Sequence, residues 1–209
     1  MLQKLTEEKL REILEKGSKE FAEKGFERAS MKNIAKSAGI SVGVLYKYYE
    51  NKDDFFNACL EDSLKVLSEK MEEFISWEIT PRERIERLLH LVLEFSRENP
   101  DAVRMYHEIT SSSFTEKART LATHIESISA KTYRDYMAAL KETNLLKEDI
   151  IPEAAAFFFD NCLMMLQFSY NVDYFDERKK LYLGSVYDND DVLIKQMMLM
   201  LDGALLRRD

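Results

Sequence analysis

The chain has 209 residues, with 38 Asp/Glu against 30 Lys/Arg, a formal net charge of −8. A hydrophobic content of 45% is enough to bury a core, and only 6 Gly and 3 Pro exclude a sheet-rich fold with many tight turns. The two cysteines, Cys59 and Cys162, exclude a disulfide framework, and each falls inside apolar helical pattern as a small buried hydrophobe would.

The N-terminal stretch "MLQKLTEEKLREILEK" has no apolar core of a signal peptide. Residues 6–24 read as an amphipathic helix with Leu10, Ile13, Leu14, Gly17 and Phe21 on one stripe. Thr6 caps its start and Gly25 ends it. Ser30 caps a short second helix through Ser37, and Gly39 closes it. Ser41 caps a short third helix through Tyr48. Asn51 caps a fourth, with Asp53 and Asp54 in the first turn, where the helix dipole favours acids. That helix runs to about Trp77, with Phe55, Phe56, Cys59, Leu64, Leu67, Met71 and Phe74 inward.

Thr80-Pro81-Arg82-Glu83 combines a cap, a proline at the first position and Glu at the third, and starts a helix to Arg97. Asn99-Pro100 starts another, through Ser111. A long helix is predicted over residues 115–143, and Pro152 opens one to Asn171. Residues 173–189 are less regular, and a last helix starts within 188–191 and runs to Leu206. The expectation is an all-α fold of about nine helices. The apolar cluster at 154–166 is interrupted by Asp160 and Asn161 and is too short to span a bilayer, so a cytoplasmic protein with no membrane contact is expected.

Charge is unevenly spread. Residues 1–52 hold 11 Lys/Arg and 8 Asp/Glu, a balance of +3, and residues 53–209 have a balance of −11. A phosphate backbone responds to the local face rather than to the whole-protein sum. The predicted division follows this shift: a head at 1–52 and a body at 53–209, joined without a flexible linker.

Within the head, Ile34, Ala35 and Ala38 mark the inner face of the second helix, and Ile40, Val44 and Leu45 that of the third. Two short helices crossing over a Gly39 turn form a helix-turn-helix, whose third helix fits a major groove. Its exposed edge offers Ser41, Val42, Gly43, Tyr46 and Lys47, with Tyr48 and Lys52 beyond. Hydroxyls and ammonium groups suit phosphate oxygens, and Gly43 lets the backbone come close. Tyr49 is expected to pack inward.

The stretch "FAEKGFERASMKNIAKSAGISVGVLYKYYENKDDFF", residues 21–56, resembles the TetR/AcrR family of bacterial transcriptional regulators. Phe21, Gly25-Phe26, Ile34-Ala35, Ala38 to Ser41, Gly43, Leu45-Tyr46 and Asn51-Lys52 carry the resemblance. It implies DNA contacts from Ser30, Met31 and Lys32 and from residues 41–48. The chain departs from the pattern at Val42, where Lys is common, and at Lys47 and Tyr48, where an aromatic residue or His is common. Val42 suits a thymine methyl, and Lys47 restores the charge.

Residues 152–170 are apolar nearly all round, so that helix needs cover on both sides. Phe158, Asn161, Met165 and Phe168 are read as one face, lining a cavity. Further pocket candidates are Phe74, Leu91, Phe95, Tyr106, His124 and Ile128, each of which also reads as plain core. The other face, Phe157, Asp160, Met164, Gln167 and Asn171, is assigned to a second subunit, with Gln196, Met197, Met200, Gly203 and Ala204 of the last helix. The family resemblance makes these two helices a homodimeric four-helix bundle, and makes the fourth helix the link between pocket and head.

His90, His107 and His124 lack metal-ligand spacing, and the sequence shows no phosphate-binding glycine loop, HExxH or nucleophile elbow. The expectation is a non-enzymatic homodimeric repressor, without cofactor or metal, that binds a double-stranded operator and is released by a small apolar or amphipathic effector. Two readings stand beside it: an all-helical ligand-binding enzyme or carrier, and a DNA-binding protein without small-molecule control.

Overall fold

The structure, a computed structural model, describes residues 5–111 and 116–207, apart from the side chains of 64, 66–68, 71, 72, 75, 111, 116–119, 121, 122, 124 and 125. The inward assignments of Leu64, Leu67 and Met71 therefore lie outside the described residues. The described residues form ten α-helices: α1 (Glu7–Arg28), α2 (Met31–Ser37), α3 (Val42–Tyr48), α4 (Lys52–Ser76), α5 (Pro81–Glu98), α6 (Pro100–Ser111), α7 (Glu116–Glu142), α8 (Pro152–Asn171), α9 (Asp173–Leu183) and α10 (Asp190–Leu205). A 3-10 turn, Gly184–Val186, precedes α10. No described helix is long and apolar enough to cross a membrane. The chain divides into two compact units, Met1–Val66 with Asp101–Thr123, and Leu67–Pro100 with His124–Asp209.

In the first unit the helix starts fall where the capping residues stand. Thr6 Oγ1 accepts from the Lys9 N–H at 3.2 Å, Ser41 Oγ from Val44 at 3.3 Å, and Asn51 Oδ1 from Asp54 at 2.8 Å. Gly25 breaks α1 with φ +72°, and Gly39 turns the chain after α2 with φ +68°. The N–H groups of Gly39 and Ile40 then close α2 on the carbonyls of Lys36 and Ala35, at 3.1 and 2.9 Å.

Helices α2 and α3 have seven residues each, too few to persist alone. They bury Ile34, Ala35, Ala38 and Leu45 against the rest of the unit. Helices α1 and α4 supply the scaffold through aromatic contacts. Phe21 meets Phe56 edge-on at 4.9 Å and lies 6.0 Å from Phe55. Gly17 permits this approach, because a Cβ there would sit 2.5 Å from the Phe55 ring and 2.6 Å from Cys59 Sγ.

Charged side chains tie the connections down. Glu20 accepts from the Ser30 N–H at 3.3 Å and from Lys24 at 3.0 Å. Burial pushes its carboxyl up, but these bonds, a further one from Asn33 and the Lys24 charge outweigh it and hold the group below its ordinary 4.5. Glu108 on α6 accepts from the Phe26 N–H at 3.1 Å.

The second unit is built on α5 and α8, whose buried Ile85, Leu88, Leu89, Phe159 and Leu163 belong to one core with Phe74, Tyr133 and Met137. The predicted start of α5 is a complete capping box: Thr80 and Glu83 bond each other's backbone. Where sequence pattern leaves 173–189 irregular, the structure forms α9. None of its residues is fully buried, so it carries no inward stripe to read. It is held by Lys180, which pairs with Asp176 and Glu177 at 2.8 Å each, and by Phe175 against Phe168 at 5.6 Å. Gly184, φ +51°, ends it.

Two outcomes follow from these contacts. Gly17→Ala gains helix propensity, but its Cβ overlaps a fully buried Phe55. Overpacking should dominate, giving a net loss of ~1–2 kcal/mol in denaturant titration. A rise in stability would mean the α1–α4 contact is not tight. Glu20 has a lowered folded-state pKa, so its contribution is complete above the ordinary carboxyl range and is lost as pH falls through the folded value. Unfolding midpoints of the parent and Glu20→Gln should therefore differ most near neutral pH and converge in acid. A pH-independent gap would remove Glu20 from this role.

Candidate nucleic-acid interface

The α2–turn–α3 segment presents one open edge. Ser41, Gly43, Tyr46 and Lys47 are exposed, Tyr46 by 49%, and Val42 is half-exposed. On α2, Lys32 and Lys36 are exposed one turn apart. Lys32, Lys36 and Lys47 have no ion pair or hydrogen bond among the described residues, whereas Lys9, Lys19 and Lys24 on α1 pair with glutamates. Three uncompensated cations thus stand close to the turn. Lys36 escaped the sequence reading, although its i,i+4 spacing from Lys32 carries the signal.

Gly43 stands in open space. A Cβ built on it would meet nothing nearer than Ser41 Oγ at 3.9 Å. Glycine inside a helix costs about 1 kcal/mol relative to alanine. The surrounding protein gives no steric reason for that cost.

Other candidates around this edge have internal partners. Met31 is buried, 5% exposed. Ser30 Oγ caps α2, accepting from Asn33. The Tyr48 hydroxyl accepts the Leu5 N–H at 2.7 Å. Lys52 Nζ donates to the carbonyls of Glu27 and Ala29 at 3.1 and 3.3 Å and lies 4.6 Å from the centre of the Phe26 ring. It therefore neutralises the negative end of α1. Tyr49 packs on Phe55 at 4.7 Å, and burial pushes its phenol up to about 12.

In the second unit, Phe74, Phe95 and Phe168 are core residues, at most 6% exposed, and Leu91 packs against the core. Ile128 is half-buried, as is Tyr106 in the first unit, and the His124 side chain lies outside the described residues. Helix α8 is rotated relative to the two faces assigned from sequence. Gln167 and Asn171, assigned outward, are 8% exposed, and Asn171 Nδ2 donates to the Ser96 carbonyl at 2.8 Å. Phe158 and Met165, assigned with Asn161 and Phe168 to a cavity-lining face, are 66% and 39% exposed, whereas Phe168 is 2% exposed. Asp160 and Met164 are half-buried; burial, then Glu126, raises the Asp160 carboxyl to about 6. A helix apolar all round offers more than one stripe at a 3.6 period, and packing against α5 selected a different one.

A cleft of about 490 Å³ lies between α8, α9 and α10. Of the pocket candidates it takes Phe158, Asn161 and Met165, and from the interface set it takes Met197. The remaining interface candidates lie on the surface: Phe157, Gln196, Met200 and Ala204 are exposed, and Gly203 is half-exposed. Arg178, Lys179, Phe175 and Tyr182 line the cleft too, and sequence reading missed them because α9 itself was not foreseen. Among the described residues no group of three or more His, Cys, Asp or Glu converges as a metal site.

Residues 13–59 match the family described as bacterial regulatory proteins, tetR family. An uncharacterized HTH-type transcriptional regulator, YhgD of Bacillus subtilis (strain 168), is 26% identical over 129 residues, 62% of this chain and 63% of the relative. The chain thus spans less than two thirds of that relative's length. The fatty acid degradation regulator FadR from Bacillus halodurans shares the fold with TM-score 0.74 at 17% identity, over 95% of this chain and all of that one. AibR, solved in complex with isovaleryl coenzyme A and operator DNA, shares it with TM-score 0.69 at 19% identity, over 92% of this chain and 97% of that one. Residues 13–59, which hold the helix-turn-helix, are thus similar to the tetR family of bacterial regulatory proteins, and the chain shares its helical fold with these solved regulators.

Proposed function

We propose that the chain is a cytoplasmic, homodimeric, ligand-responsive transcriptional repressor. Residues 1–52 hold operator DNA and residues 53–209 carry the effector site and the dimer contact. Gly43 carries this reading. Its missing side chain is unexplained by the protein's own packing, and it sits among the unpaired cations. A bare backbone there lets a duplex approach closely, with Lys32, Lys36, Lys47 and Tyr46 on phosphates and Val42 toward a base edge. AibR, of the same fold, was solved with both operator DNA and isovaleryl coenzyme A, which supports joining the two activities in one chain.

The dimer reading rests on exposed apolar surface. Phe157 on α8 is 64% exposed, and Leu199 and Met200 on α10 are 55% and 74% exposed. Large apolar side chains left exposed on two helices mark a candidate interaction face. A second copy, using the same face, would cover both.

DNA affinity should be measured against salt, on duplexes selected from a random pool and on unselected DNA. Lys47→Ala should weaken both similarly and flatten the log–log salt slope by about two for a dimer, one phosphate contact per subunit. Gly43→Ala should weaken selected DNA while leaving the melting temperature unchanged or raised. An unaltered slope together with an unaltered Gly43→Ala affinity would defeat DNA binding by this edge. For assembly, sedimentation of the parent should show a dimer. Met200→Glu should divide it, because an unpaired charge in such a face costs several kcal/mol. A monomeric parent would refute the assembly.

A further inference from the structure

We propose that Glu108 on α6 is a positioning residue for DNA reading: it caps the turn that leads α1 into α2, and α6 thereby works as part of the reading unit. This rests on the reading that the α2–turn–α3 edge holds DNA, and adds to it a residue outside that edge.

Helix α6 lies in the part of the sequence assigned to the body, yet Asp101–Thr123 and Met1–Val66 form one compact unit. Its Ala102, Val103 and Met105 are buried, at most 6% exposed, so the helix is firmly seated. Glu108, one turn beyond Met105, is half-buried.

At Gly25 α1 leaves helical geometry, with φ 72° and ψ 163°. The chain then makes one further turn, closed by the Ala29 N–H on the Gly25 carbonyl at 3.1 Å. Gly25 thus stands as the N-cap of that turn. An N-cap side chain ordinarily offers an oxygen to the first N–H groups, which have no carbonyl behind them. Glycine has none to offer. Glu108 Oε1 takes that place, accepting from the Phe26 N–H at 3.1 Å across 82 positions of sequence. A carboxylate there also meets the positive end of the peptide dipoles. The glycine and the carboxylate fit each other, because a Cβ on Gly25 would lie 3.0 Å from Oε1 and 3.6 Å from Cδ of Glu108.

Residues 26–29 are where the reading unit is joined. The Phe26 ring stacks on Phe21 at 6.1 Å and meets Phe56 edge-on at 5.3 Å. Lys52, at the start of α4, holds the carbonyls of Glu27 and Ala29. The next residue, Ser30, caps α2. Helix α2 packs on α1 and α3 on α2, so a displaced start of α2 is carried to α3. Base edges demand close placement of the reading helix, whereas phosphates tolerate more. Without the Glu108 cap, the fraction of molecules with α3 aimed should fall, and affinity for a specific sequence falls by the same factor.

The test compares the full chain with Glu108→Ala and with Glu108→Gln, which keeps an oxygen able to accept the Phe26 N–H. Affinity is measured well below every melting temperature, on duplexes selected from a random pool and on unselected DNA. Amide exchange is followed over residues 26–31. Glu108→Ala should lower affinity for selected DNA about tenfold, the worth of one charge-assisted hydrogen bond, and change that for unselected DNA less than about twofold. Exchange at 26–31 should quicken. Glu108→Gln should recover most of the discrimination. Unchanged discrimination in Glu108→Ala overturns the proposal, as does an equal loss on both DNAs, which loss of folded protein would give. No better discrimination in Glu108→Gln than in Glu108→Ala overturns it too. Unchanged exchange at 26–31 in Glu108→Ala refutes the cap whatever the DNA result. A parent that holds selected and unselected DNA alike refutes the DNA-binding reading, and the proposal with it; a discriminating parent confines any failure to Glu108.

Discussion

The contact of α1 with α4, Phe21 edge-on to Phe56 and Gly17 beneath Phe55, is what the first unit depends on. Two seven-residue helices cannot hold their own crossing angle. Their buried Ile34, Ala35 and Leu45 are few, and the turn at Gly39 only permits the geometry. The aromatic layer between α1 and α4 supplies the frame on which the two short helices are carried. Lys52 and Glu20 serve the same end electrostatically, one closing the end of α1 and the other receiving the start of α2. These charged groups are occupied by the frame, so the unpaired Lys32, Lys36 and Lys47 are left at the edge proposed to meet DNA.

In the second unit the governing constraint is α8, which is apolar on every side. A helix of this kind must be enclosed or remain sticky. The core around Phe159 and Leu163 takes one side. Helix α9 covers part of another, braced by Lys180 and by Phe175 against Phe168. Between them α8, α9 and α10 leave the cleft open, and Phe157 stays exposed beside it in sequence. The same incomplete cover brings Lys179 beside an apolar wall. A soluble helix face would have hydrated that ammonium freely; here two tyrosine rings and burial constrain it.

Much of this was legible because it is local. The caps at Thr6, Ser41, Asn51 and Thr80 act within four residues of themselves, and the structure places a helix start at each. Gly25 and Gly39 take the positive φ that their positions in the pattern imply. The exposed edge of α3 was readable for the same reason: short helices with one apolar stripe leave little choice of which side turns out. Lys52 was not readable in this way, since its partners are carbonyls more than twenty residues away.

By itself, the sequence determined the helices through α8, the last helix, the turn between α2 and α3, and the basic edge beside it. Spacing and capping are properties of neighbours along the chain. Only the tertiary structure decided which side of α8 is buried, that 173–183 form a helix, and that Lys179 lies between two tyrosine rings. Each of these is a choice among nearly equal local alternatives. Periodicity cannot rank two apolar faces of one helix, and a helix without a buried stripe has no pattern to betray it. The choice falls to partners distant in sequence: Ser96 for Asn171, Phe168 for Phe175, and Tyr170 and Tyr187 for the lysine between them.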